Sequence, residues 1–408
     1  MTTSTPSSSG SGKDSVSGGF NWVFSAKLLF LFSLSRLHFL HWMLPRSIQD
    51  ELPIGWNFQM FWTAFSTGGQ KIYYDLYCRT KAPKTFEPKA KVAPQFQLTE
   101  EQIKFFHDNG YVGPFDLLSA EETAELKEYC FNVIETESEV YSFSKGECSF
   151  QEGKRKNALL GGYDKLTDEN KKYFSGRLNL MDRHLDSPKL LDVLKHPGIV
   201  ERCAQILGEN LIVWRSQFFT KTPRKTGTTW HQANVWLFDN FKEPVAHPVD
   251  IEAISQLTCW IAITDVNKEN GCMKIIPGSH KEIYPINIDR SENVNNIYGF
   301  IGGSLDYPTE SAPVDHIEMK AGQFYLFSER AIHGAVDNTT DEFGLALNCR
   351  VTRTDTQIHN KKVLKQGAYS IDIFGIDHSL NNWSAVLLRG KDEHGLNRLR
   401  EEKENTSA

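Results

Sequence analysis

The sequence predicts a mainly β fold with flanking helices. Three observations lead there. From Leu211 onward the chain reads as short runs rich in β-branched and aromatic residues; Gly, Pro, Asn and Asp separate those runs; and the two clearest helix starts lie upstream of them all. With 408 residues, 40% apolar and 24% charged, the chain suffices for one substantial core with extensions, or two small domains.

Residues 1–19 are mostly Ser, Thr and Gly and predict a disordered tail, because such a segment buries too little apolar surface to offset the entropy of ordering. Phe20 to Leu44 is the most apolar stretch, yet Lys27 and Arg36 interrupt it before the ~20 uncharged residues that a spanning helix needs. Three readings fit it: a helix packed on the main domain, an interfacial helix making peripheral membrane contact, or part of a targeting sequence. Between Met1 and Ile48 the one acidic residue is Asp14, which suits either of the last two.

Lys81 to Gln95, KAPKTFEPKAKVAPQ, mixes prolines with lysines and reads as a linker closing an N-terminal segment, 20–95. The main domain is expected over 96–360. Thr99-Glu-Glu-Gln102 and Ser119-Ala-Glu-Glu122 are capping boxes, opening helices through Asp108 and Ile134. The β runs follow: LIVWRSQFF, TTWHQANVWLF, SQLTCWIAIT, CMKIIP, GQFYLF and FGLALNCRV. Strands at this spacing suggest a sandwich, and a double-stranded β-helix of the jelly-roll type is one closed solution. Residues 361–408 read as a charged C-terminal extension.

A net charge of −6 leaves no basic footprint for a phosphate backbone, so nucleic acid is not an expected partner. Seven scattered cysteines, odd in number and without a CxxC pair, suggest neither a disulfide framework nor a zinc site. They predict a reducing compartment, cytoplasmic or organellar. P-loop, GxGxxG and Ser-His-Asp signatures are absent as coherent sets.

The chemistry lies in two histidine motifs. In Trp230-His231-Gln232-Ala233, read as a strand, His231 and Ala233 share a face. Ala331-Ile332-His333-Gly334 follows the strand GQFYLF, where a second histidine closes onto the same metal across a jelly roll. Two histidines and one carboxylate make the iron(II) oxygenase arrangement, with the carboxylate usually two residues after the first histidine. Here that position is Ala233. A methyl group cannot ligate, so a monodentate anion such as chloride fills the vacancy and supplies the same single charge. Arg350, in the run FGLALNCRV, stands where a strand-borne guanidinium grips the distal carboxylate of 2-oxoglutarate. His280, in PGSH, reads as a turn residue rather than a ligand.

Gly271-Cys-Met-Lys-Ile-Ile-Pro-Gly-Ser-His280, LTEEQIKFFHDNGYV and WHQ together resemble the phytanoyl-CoA dioxygenase-like superfamily of iron/2-oxoglutarate enzymes. Within it, WHQA, LTCWIAITDVNKENGC, GFIGGSLDY and MKAGQFYLF are similar to the halogenases of the syringomycin type. The resemblance spans roughly 97–357. It implies a double-stranded β-helix (jelly roll, cupin-like), with His231 and His333 as iron ligands, Ala233 as floor of a halide pocket, Thr258 near the halide, and Arg350 as the keto-acid clamp. The implied cofactors are Fe(II), 2-oxoglutarate and chloride, with O2 as co-substrate. The implied reaction is halogenation of an unactivated aliphatic carbon in an acyl, lipid or natural-product precursor, free or presented by an acyl or peptidyl carrier protein. Two other readings fit the same residues: a hydroxylase of this fold, with Asp239 or Glu243 as replacement carboxylate, and an inactive homologue that serves as a binding or scaffold module.

Overall fold

The computed structural model describes residues 20–49, 51–151, 155–157, 161–163, 166–239, 243–288, 303–372 and 374–401. The expected tail 1–19, the first part of GFIGGSLDY and the C-terminal 402–408 lie outside them.

Among the helices ahead of the long strands are α1 (Trp22–Ser35), α2 (Phe58–Ser66), α3 (Glu100–Asn109) and α4 (Ala120–Ile134). Both capping boxes form reciprocally, Thr99 with Gln102 and Ser119 with Glu122, which satisfies donors that a helix start leaves free. Helix α3 ends on Gly110 at φ 91°, where a Cβ would meet the His280 ring Nδ1 at 2.7 Å, so only glycine fits. A further helix, α5 (Pro197–Leu207), leads into the strands.

The strands that build the two sheets are β1 (Tyr111–Asp116), β2 (Leu211–Lys221), β3 (Gln256–Ala262), β4 (Met273–Ile275), β5 (Asp315–Ile317), β6 (Gln323–Phe327), β7 (His333–Ala335), β8 (Gly344–Arg353) and β9 (Val386–Arg389). The major sheet is antiparallel in the order β9-β2-β8-β3-β6-β1; the smaller sheet runs β5-β4-β7. The chain is mainly β with flanking helices, a jelly roll of the cupin-like type.

Register decides which residues meet. Arg350 stands opposite Arg215 on β2 and Thr258 on β3, and Thr258 stands opposite Phe327 on β6. Successive strand residues alternate faces, so this row points one way while Cys349, Leu347, Cys259 and Ile261 point the other. That second set packs with Ile199, Cys203 and Leu207 of α5 in one apolar cluster. Burying each such side chain contributes about 1.5–3 kcal/mol for Leu and Ile, which anchors α5 to the sheet and leaves the opposite face for polar groups.

One element differs from the sequence reading. The run TTWHQANVWLF is not a regular strand: His231 makes an isolated bridge to His333, Trp236 adopts φ 56°, and a short 3-10 turn follows at Leu237–Asp239. The Ala233 N–H donates to the Glu329 carbonyl, which lies two residues beyond the position that a continued ladder would use. Hydrogen bonds to Asp75 bend the backbone that follows. Residues 361–401 supply the edge strand β9 and the buried Trp383, whose indole N–H donates to the Trp214 carbonyl. The N-terminal segment is likewise built in: Trp56, Met60, Ile72 and Tyr74 share a core cluster with Ala233, Val235 and Trp236.

Candidate metal and keto-acid site

His231 and His333 are brought together by backbone pairing. Each N–H donates to the other's carbonyl, at 2.9 and 3.0 Å, and the ring centroids stand 4.2 Å apart. Each ring is oriented by the backbone two residues before it. His231 Nδ1 bonds the Thr229 carbonyl and His333 Nδ1 the Ala331 carbonyl, both at 2.8 Å. A carbonyl only accepts, so Nδ1 carries the proton in both rings and each Nε2 presents a lone pair. Burial lowers the pKa of His231 to about 3 and of His333 to about 4, each ring also feeling a neighbouring cation or imidazole. Both rings are therefore neutral at physiological pH, the form that binds a metal. Phe327 closes one side, edge-on to His333 at 5.0 Å.

Ala233, two residues after His231, is buried and lines a small cavity with Glu329. Behind it, Asp75 accepts from the backbone N–H groups of Asn234, Val235 and Trp236 at 2.7, 3.0 and 3.1 Å. Burial raises the Asp75 pKa while those N–H bonds oppose the rise. The carboxylate thus ties the N-terminal segment to the chain that carries Ala233. Gln232 points the other way, donating to the Arg330 and Glu282 carbonyls and accepting from Tyr284 N–H. It stitches the WHQA turn to the segment after PGSH.

Arg350 is buried on β8, and its Nε donates to Glu329 Oε1 at 2.8 Å. Thr258 Oγ1 donates to the same oxygen at 2.7 Å. The guanidinium carbon lies 5.1 Å from the Trp236 ring centroid, and Nη1 is buried without a hydrogen-bond partner. Burial pulls the Arg350 pKa down, with Glu329 opposing. An unpartnered, buried guanidinium nitrogen is costly unless a ligand meets it, so this side chain fits a carboxylate that arrives from outside. Two oriented imidazole Nε2 atoms likewise suit a borderline metal such as Fe(II).

Neither replacement carboxylate stands with the histidines. Asp239 is buried, accepts from Tyr369 Oη at 3.2 Å and has its pKa raised to about 6 by burial. Glu243 bonds Asn360. Among the described residues no group of three or more His, Cys, Asp or Glu is placed to hold a metal. His280 bonds the His107 carbonyl, away from the pair.

Sequence reasoning missed Glu329 and Asp75. Glu329 is the lone acid in the apolar run that leads to His333, and that isolation was the available signal; Asp75 had none, since its partners lie far away in the chain.

A family model described as phytanoyl-CoA dioxygenase (PhyH) matches residues 106–343. A probable phytanoyl-CoA dioxygenase of Caenorhabditis elegans is 29% identical over 183 residues, covering 42% of this chain and 53% of its own. The peroxisomal phytanoyl-CoA dioxygenase of Homo sapiens is 30% identical over 121 residues, covering 29% of this chain and 35% of its own. The chain thus spans about half or less of the length of these relatives. The solved structure of CytC3 with Fe(II) and alpha-ketoglutarate superposes with a TM-score of 0.53 at 23% identity, covering 75% of this chain and 93% of that one, a likeness of fold.

Proposed function

Since the chain belongs to the phytanoyl-CoA dioxygenase family, we propose that it is an Fe(II)- and 2-oxoglutarate-dependent oxygenase specialised as a halogenase, which chlorinates an unactivated aliphatic carbon of an acyl chain. The observation that carries this reading is Ala233, a methyl group two residues after the first of two oriented histidines, with no group of three or more His, Cys, Asp or Glu placed to hold a metal among the described residues. Iron held by His231 and His333, with 2-oxoglutarate, O2 and chloride, supplies the oxidation that exchanges C–H for C–Cl.

The protein's part is binding and orientation. Burial keeps both imidazoles neutral, and the Nδ1 bonds aim them. Ala233 leaves volume for a halide and adds no charge of its own. Arg350 offers Nη1 to the far carboxylate of the keto acid while its Nε stays with Glu329. Thr258 also stays with Glu329, so its hydroxyl braces the pocket wall. Where the protein holds the substrate carbon would then decide between chlorination and hydroxylation. An acyl chain, free or carried as a thioester, matches the acyl thioester in the relatives' names.

A hydroxylase reading draws on Glu329, whose Oε2 is buried without a partner and which lines the same small cavity as Ala233. One experiment separates the readings. Anaerobic protein with Fe(II) and 2-oxoglutarate is expected to show a visible charge-transfer band that shifts on addition of chloride and is lost in His231→Ala. A band indifferent to chloride supports the hydroxylase; no band supports a binding module.

A further inference from the structure

Eleven of the fourteen large apolar side chains that stand exposed among the described residues fall between Phe20 and Trp62. Helix α1 shows why. Leu28 and Leu31 are buried, yet the outward side carries Trp22, Val23, Leu29 and Phe30 beside Lys27 and Ser33. A helix with large apolar side chains on both its inward and outward sides calls for an apolar neighbour on each, and the protein supplies only one. Helix α2 repeats the pattern, with Met60 and Phe61 inward and Phe58 and Trp62 outward. Phe32 of α1 stacks on Phe61 of α2 at 4.3 Å, and the turn His38–Met43 adds Phe39 and Trp42. The exposed rings therefore collect on one part of the surface.

Charge points the same way. From Phe20 to Gln49 there is no Asp or Glu, while Lys27, Arg36, His38, His41 and Arg46 are interspersed. Lys27 pairs with Glu51 at 3.1 Å and remains about half exposed, and Arg36 lies over the Phe32 ring. Helix α1, at 14 residues, is about 21 Å long, short of the ~30 Å hydrocarbon core. No helix among the described residues is long and apolar enough to cross a membrane.

We propose that this surface is a membrane-docking face, which lays Trp22, Phe30, Phe39, Trp42, Phe58 and Trp62 into the headgroup–acyl boundary of a bilayer containing anionic lipid. Lipid is the occupant because indole rings favour that boundary and because the acid-free, cation-bearing stretch complements anionic headgroups. The face is built into the body that carries the site, since residues 56–78 share a core with Ala233 and Trp236 and Asp75 grips the chain between them. Membrane docking stands independently of halogenation.

Flotation of the full chain with vesicles tests it. The protein is expected to float with phosphatidylcholine/phosphatidylglycerol vesicles, less with phosphatidylcholine alone, and less again at high salt. Its tryptophan emission is expected to shift to the blue on binding. Trp22 and Trp42 are 75% and 79% exposed, so Trp22→Ser with Trp42→Ser removes no core contact. Circular dichroism checks that the double variant is folded, and its partitioning is expected to drop about tenfold or more. Failure to float with either vesicle, or flotation of the folded double variant equal to the parent, overturns the proposal. So does a lipid-free dimer that the double variant abolishes, since a second copy of the chain then covers the face.

Discussion

His231 and His333 hold each other through their own backbones, N–H to carbonyl in both directions at 2.9 and 3.0 Å. The pairing that closes the jelly roll is therefore also the pairing that assembles the two candidate ligands. Each ring is then fixed by a carbonyl two residues earlier in its chain, so both lone pairs are aimed before any metal arrives.

Replacing one ring breaks the set. His333→Ala is expected to lose bound iron and all turnover, with metal content after desalting near zero. Retention of stoichiometric iron by the folded variant places the metal elsewhere.

Ala233→Asp restores a carboxylate beside the pair. Chlorinated product is expected to vanish and hydroxylated product to appear, read by mass spectrometry of an acyl substrate. Continued chlorination by this variant defeats the vacancy argument.

Arg350→Lys keeps the charge but loses the planar fork and the Nε bond to Glu329. The KM for 2-oxoglutarate is expected to rise by about 10- to 100-fold, the worth of roughly one charge-assisted bond, with kcat changed less. An unchanged KM assigns the keto acid to another cation.

Asp75→Asn places an amide donor among backbone N–H donors at Asn234, Val235 and Trp236. Stability is expected to fall by about 2–3 kcal/mol, and the ratio of chlorination to hydroxylation to fall with it as the Ala233 wall loosens. Thermal unfolding and product ratio measure the two effects; an unchanged ratio in a destabilised variant confines Asp75 to folding.

Acid stability follows from histidines outside the site. Burial holds His184, His280 and His378 at about 4, below their ordinary 6.5. Between those values the unfolded chain binds protons that the folded chain does not, so stability is full above pH 6.5 and declines as pH falls towards 4. A melting temperature flat across that window contradicts the burial of these rings as neutral groups.

Elements with a local cause were legible along the chain. Runs rich in β-branched and aromatic residues became β2, β3, β6 and β8, and reciprocal side-chain bonds made the capping boxes of α3 and α4, because residue propensity and cap chemistry act over a few residues. The motifs WHQA and AIHG singled out the two histidines for the same reason: motif spacing is written along the chain. Other features had to wait for the packed molecule. WHQA is not a regular strand because Asp75, from the N-terminal segment, holds the backbone after Ala233 out of the ladder. Glu329 joins Thr258 to Arg350 because antiparallel register sets β3 beside β8, and register depends on every strand at once. The outward rings of α1 likewise acquired meaning only when packing showed which face the protein left uncovered.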